Sequence, residues 1–289
     1  MTEQSKLFEQ NQRIVCWFSC GAASAVATKL AIEENAKSDS PKELVVASIF
    51  IEDEHEDSER FLKDCEQWFG QEILILKNEK YQASVDQVII KTRYMSGANG
   101  ARCTKELKKQ VRYDWQRHDD IHVFGMTVEE QKRIDDLIDH ENDIEIWPVL
   151  IEQGLDKKAC FDIIEKAGIK LPAMYHLGYN NNNCIGCLKA QSPAYWNKIR
   201  KDFPEVFEKR AEQERLLNVS LCRMSANKFI NQYPEYFAKM HKDFQENKCS
   251  IKINSKGAMM IPLRYLPPEE GKHESIYVGD CGFFCEKAA

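Results

Sequence analysis

The 289-residue sequence predicts an α/β protein: a parallel sheet with helices on both faces, plus a cysteine-bearing, mostly helical C-terminal subdomain. Three observations predict it. Short apolar runs alternate with helical stretches through the first half, the pattern of strands buried on both faces. The alternation stops after Pro148, where the chain turns helical. The second half then carries Cys184-Ile185-Gly186-Cys187 and the terminal Cys281-Gly282-Phe283-Phe284-Cys285.

Residues 14–18 form the first apolar strand and 24–34 a helix; 44–51 is the second strand. The helix over 58–69 places Phe61, Leu62, Cys65 and Phe69 on one side, and 72–76 is the third strand. This is βαβαβ. Helices over 84–92 and 104–115, a strand at 121–124, a helix over 129–139 and a strand at 144–147 continue it. Beyond them, helices over 156–167 and 194–214 flank an Asn-rich turn at 179–183 that delivers the first cysteine pair. A helical stretch follows over 225–245, and the remaining residues read as short strands and Pro/Gly turns. The expected division is 12–150 for the sheet domain and 151–289 for the subdomain and a C-terminal strap.

With 43% hydrophobic and 30% charged residues the chain has material for a large core, which excludes general disorder. Its 40 basic and 46 acidic side chains leave a net charge of -6, so contact with a phosphate backbone needs a local basic patch. One candidate is Lys91, Arg93, Arg102, Lys105, Lys108, Lys109, Arg112 and Arg117, interleaved with Tyr94, Tyr113 and Trp115. The bland alternative is a solvated helix face. No apolar run reaches the roughly 18 residues of a membrane span, and the polar start lacks the features of a signal peptide. The expectation is a cytoplasmic protein with no membrane partner. In that reducing setting eleven cysteines, an odd number, point to metal binding or reactive thiols rather than disulfides.

The turn Ser19-Cys20-Gly21-Ala22-Ala23-Ser24, between the first strand and its helix, leaves backbone N–H groups for an anion. Ser19 and Ser24 add hydroxyls, while Gly21 permits close approach or a positive φ. A plain βα connection is the alternative, and the turn is neither a Walker loop nor a dinucleotide fingerprint. Cys20 in such a turn would see donors that favour its thiolate, or would fill a small buried space. The segment Glu52-Asp53-Glu54-His55-Glu56-Asp57 offers hard oxygen ligands for Mg²⁺, or is a solvated loop. Cys184 and Cys187 have the spacing of two soft ligands in an iron-sulfur or zinc site. Cys16, Cys65, Cys160 and Cys222 lie among apolar residues and read as core thiols.

Over residues 12–215 the chain resembles the phosphoadenosine phosphosulfate reductase family of the PP-loop ATP pyrophosphatase superfamily. Ser19, Gly21 and Ser24 match the family loop's first serine, second glycine and last serine, while Cys20, Ala22 and Ala23 depart from it. The acidic segment at 52–57, Arg102-Cys103-Thr104-Lys105, and Gly125-Met126-Thr127-Val128-Glu129-Glu130-Gln131-Lys132-Arg133 resemble further family segments. The resemblance implies that ATP or a related mononucleotide lies against 19–24 and Gly125, with Arg133 neutralising an anionic group and Cys20 a candidate carrier of activated sulfur. It implies a 4Fe-4S cluster on Cys103, Cys184 and Cys187; Thr104 stands where cluster-binding members carry an adjacent cysteine, so Cys281 or Cys285 is the expected fourth ligand, with structural zinc or uncoordinated thiols as the alternatives.

The reductases' catalytic tail motif is absent in its usual form, which favours ATP-dependent sulfur transfer over sulfonucleotide reduction. The expected activity is therefore an ATP pyrophosphatase that adenylates an acceptor for sulfur transfer in DNA backbone phosphorothioation. Its partners would be a cysteine desulfurase or other sulfur donor and DNA or DNA-acting modification proteins, with room for an oligomer. Sulfonucleotide reduction, tRNA thiolation and a non-catalytic nucleotide-binding module remain the alternatives.

Overall fold

The computed structural model describes residues 12–97, 100–140 and 144–268. Its first strand, β1 (Arg13–Trp17), is buried at all five positions, as expected of an apolar run covered on both faces. Helix α1 (Ala22–Lys37) follows and presses Ala22, Ala25, Val26, Ala27 and Ala31 onto the sheet; these small side chains allow a close approach. Strand β2 (Glu43–Ile49), helix α2 (Asp57–Phe69) and strand β3 (Ile73–Leu76) complete the expected βαβαβ. α2 buries Phe61, Cys65 and Phe69, and ends at Gly70 in the left-handed conformation that closes helices.

Helix α3 (Val85–Thr92) leads to a small hairpin that pairs Ser96 with Ala101. The expected helix over 104–115 forms in two parts, a wide π turn at Thr104–Lys109 and helix α4 (Gln110–Trp115). Strand β4 (Ile121–Val123), helix α5 (Gln131–His140) and strand β5 (Glu145–Ile146) end the sheet. All five strands are parallel, in the order β3-β2-β1-β4-β5, with Val15 opposite Val45 on one side and His122 on the other. The connections run outward from β1 to β3, then return to place β4 on the other side of β1. The reversal creates a crevice between the C-terminal ends of β1 and β4, where open α/β sheets bind ligands.

Beyond the sheet, α6 (Val149–Glu152) and α7 (Lys157–Lys166) pack on α1, with Cys160 and Ile164 sharing its apolar cluster. Thus α7, beyond the last strand of the sheet, covers α1. After α8 (Ala173–His176), the helix expected over 194–214 is broken. It forms α9 (Pro193–Asp202) and α10 (Pro204–Leu217), since a proline ring disfavours helical backbone at the preceding Phe203. The stretch expected over 225–245 divides in the same way at Tyr233-Pro234, after a short strand β6 (Cys222–Ser225), into α11 (Ala226–Gln232) and α12 (Pro234–Gln245). Strands β7 (Lys252–Ile253) and β8 (Ala258–Ile261) join β6 in an antiparallel sheet of order β6-β8-β7.

This C-terminal part is a mostly helical subdomain whose Cys184, Cys187, Cys222 and Cys249 are buried. No helix among the described residues is long and apolar enough to cross a membrane.

Candidate functional site

A cleft of about 200 Å³ opens at the switch point of the sheet. Ser19, Gly21, Ala23 and Ser24 of the turn after β1 form its floor, and Gly125 and Thr127 after β4 form the opposite side. The turn is held by its serines. Ser24 Oγ accepts from the Ser19 N–H (3.1 Å) and donates to the Gly21 carbonyl (2.9 Å), and the two hydroxyls lie 3.1 Å apart. The Ala22 N–H donates to the Tyr175 hydroxyl at 3.2 Å. Ala23 and Ser24 belong to the same first helical turn, whose N–H groups have no intrahelical acceptors, and both line the cleft.

The left-handed residue of the turn is Cys20 (φ 53°), not Gly21, whose φ of -101° and ψ of 157° are extended. A Cβ on Gly21 would lie 3.5 Å from the Tyr175 hydroxyl, an ordinary contact. The glycine that the site requires is Gly125. A Cβ there would sit 2.3 Å from Ser24 N and 2.5 Å from Ser24 Cα, so the chain after β4 touches the backbone of α1 directly.

Cations and amides come from elsewhere. Lys108 from the π turn and Lys157 from α7 line the cleft with Tyr175, Asn181, Asn182 and Asn183; Glu129 and Glu130 bring opposing charge. Lys108 also reaches Glu54 at 3.8 Å, and Lys157 donates to the Asn180 carbonyl and the Asn181 side chain. Lys157 and Tyr175 were not singled out from the sequence, and the asparagines read only as a cysteine-bearing turn. The available signal was that run itself, because Asn182 and Asn183 are buried at 7% and 8% exposure and a buried amide needs partners.

The structure places several of the expected site residues among partners of their own. Cys20 is 4% exposed and packs in the core cluster beneath the turn. Burial pushes its thiol up and Glu54 adds to the effect, against a Ser48 hydrogen bond and Lys108, so it is a thiol and not a thiolate at neutral pH. Arg133 is not among the residues lining the cleft; it pairs with Glu130, three residues earlier in the turn that precedes α5, and Glu130 also accepts from the Thr127 N–H at 3.3 Å. Asp53 is engaged within the protein. Its two oxygens take the Arg210 guanidinium (2.8 Å) and the Val85 N–H (2.7 Å), while Glu54 faces Lys108. The basic segment is interrupted as well: Lys108 and Arg112 are buried, leaving Lys91, Arg93, Lys105 and Arg117 exposed with Tyr94 and Tyr113.

Cys184 and Cys187 sit on one buried turn. Gly186 makes it with φ 67°, the Ile185 N–H donates to the Asp53 carbonyl (2.9 Å), and the Cys187 N–H donates to the Tyr195 hydroxyl (2.8 Å). Two buried soft donors at this spacing fit half of an iron-sulfur or zinc site. Among the described residues no group of three His, Cys, Asp or Glu is gathered as a ligating set, and Cys103 is buried at 9% exposure. Cys281 and Cys285 lie outside the described residues. Cys16, Cys65, Cys160 and Cys222 are buried core thiols, as expected; burial pushes the Cys160 thiol up to about 12.

No protein-family model matches the chain, and no curated protein sequence matches it.

Proposed function

We propose that the protein binds ATP in the switch-point cleft and cleaves it to AMP and pyrophosphate, activating an acceptor for sulfur transfer. The observation that carries this reading is the junction of the 19–24 turn with Gly125 at the reversal of a β3-β2-β1-β4-β5 sheet. First-turn N–H groups, two serine hydroxyls and Lys108 and Lys157 suit a phosphate chain, with Tyr175 beside the turn. In the reaction an acceptor oxygen attacks the α-phosphorus, the α–β phosphoanhydride bond breaks, and pyrophosphate leaves. A sulfur nucleophile then displaces AMP. Residues of this chain would bind and neutralise the phosphates; Cys20, protonated and buried, is not assigned the nucleophile.

For the acceptor we retain DNA, on the exposed Lys91, Arg93 and Lys105 with Tyr94 and Tyr113, which can meet phosphates and bases. A 4Fe-4S cluster would use Cys184 and Cys187 and supply redox or sulfur chemistry, and no step above depends on it. Anaerobically isolated protein is expected to hold about four iron and four sulfide per chain, lost in Cys184→Ser and Cys187→Ser. Stoichiometric zinc without iron would assign the pair to a structural metal instead.

Calorimetric titration with ATP should show binding that weakens about tenfold or more in Lys157→Ala, as one lost charge-assisted contact implies. Product analysis with the acceptor and a cysteine desulfurase should find AMP and pyrophosphate. Cleavage to ADP rejects the chemistry. Labelled sulfur appearing in tRNA, or sulfite released from an adenosine sulfonucleotide, would move the protein to the corresponding alternative.

A further inference from the structure

We propose that Asn182 is a positioning residue for the anion-binding turn: it locks the Cys20–Gly21 peptide so that the Gly21 N–H is presented to the ligand's phosphate. The proposal rests on the reading of the 19–24 turn as a nucleotide site. Asn182 is remote in sequence, on the turn that also carries Cys184, yet its side-chain amide donates to the Cys20 carbonyl (2.9 Å) and to Ser58 Oγ (3.0 Å) at the start of α2. A carbonyl only accepts, so the amide nitrogen must face it, and both amide hydrogens are spent on these partners.

The carbonyl they hold belongs to a residue under strain. Cys20 has φ 53°, a left-handed conformation that an L residue with a Cβ rarely adopts without being held there. A trans peptide points its C=O and the following N–H in opposite directions, so fixing the Cys20 carbonyl fixes the Gly21 N–H. Gly21 lines the cleft, and among the described residues its N–H donates to no protein acceptor. Without Asn182, Cys20 relaxes to an ordinary φ, the peptide turns, and this donor is lost from the site. Glycine at position 20 removes the need for the clamp, because glycine occupies the left-handed region freely.

The test compares wild type, Asn182→Ala, and Asn182→Ala combined with either Cys20→Gly or Cys20→Ala. Asn182→Ala should weaken ATP binding by about tenfold, the equivalent of one lost hydrogen bond. Cys20→Gly in that background should restore most of the affinity, and Cys20→Ala, which keeps a Cβ, should restore none. Wild-type affinity in Asn182→Ala overturns the clamp, as does equal rescue by glycine and alanine or rescue by neither. If wild-type protein takes up no ATP, the nucleotide reading falls, and the clamp is decided by the Gly21 amide resonance in ¹⁵N-glycine-labelled protein. That resonance should move in Asn182→Ala and return with Cys20→Gly. An unmoved resonance refutes the clamp.

Discussion

Gly125→Ala is expected to destabilise the protein by about 3 kcal/mol and to abolish ATP binding, because the added methyl has no space and no flexible neighbour to displace. Its three nearest atoms would be Ser24 N, Ser24 Cα and the Ala23 carbonyl carbon, at 2.3, 2.5 and 2.7 Å. All three are backbone at the first turn of α1. Side chains can change rotamer, whereas relieving this clash means moving the helix off the end of β4 and opening the cleft between them. Gly21→Ala is the informative comparison. Its Cβ meets only side-chain oxygens at 3.5 Å and beyond, with extended backbone, so its stability should stay within about 1 kcal/mol of wild type. Urea unfolding and ATP titration of the two variants check both statements. Wild-type stability and binding in Gly125→Ala would mean that the chain after β4 does not pack on α1 as described.

Arg210→Ala is expected to cost about 3–5 kcal/mol, since it strips a guanidinium from carboxylates that stay largely buried. Arg210 is 1% exposed and bonds Asp53 at 2.8 Å, Asp86 and Gln213, with a longer contact to the Gly186 carbonyl at 3.4 Å. It therefore joins the loop after β2, the start of α3 and the cysteine turn to α10. Burial alone would raise the Asp86 carboxyl, but hydrogen bonds from Lys209 and Gln213 and the Arg210 charge outweigh it and hold the group at about 2. A depressed carboxylate contributes stability that is fully present above its unfolded value of about 4 and is lost as pH falls through about 2. Wild-type protein should thus lose stability from about pH 4 downward, and Asp86→Asn should flatten that part of the profile. Arg210→Ala as stable as wild type, or an unchanged acid limb in Asp86→Asn, would mean that the Arg210 ion pairs do not stabilise the fold.

The sequence by itself determined the alternation of the first half and the core character of its strands. Ile14, Val15, Cys16 and Trp17 are apolar and all buried, and the period of 58–69 put Phe61, Cys65 and Phe69 on the covered side of α2. These are local properties of a few neighbouring residues, so a pattern along the chain carries them. The breaks at Phe203-Pro204 and Tyr233-Pro234 were equally present in the letters; a helical period read across a proline hid them.

The cleft was legible only in part. A turn of small residues after β1 announced itself as an anion site, and Gly125 was placed with it by resemblance. Tertiary structure alone decided that the strained residue is Cys20 and not Gly21, since φ at a turn follows from what grips it, here Asn182 far along the chain. It also decided that Asp53 belongs to Arg210 and that Lys157 and Tyr175 line the cleft. A charged side chain is committed by whichever opposite charge lies within a few ångströms, where the interaction is strongest. Distances between residues over a hundred positions apart are set by how helices pack on the sheet, and no spacing in the sequence encodes them.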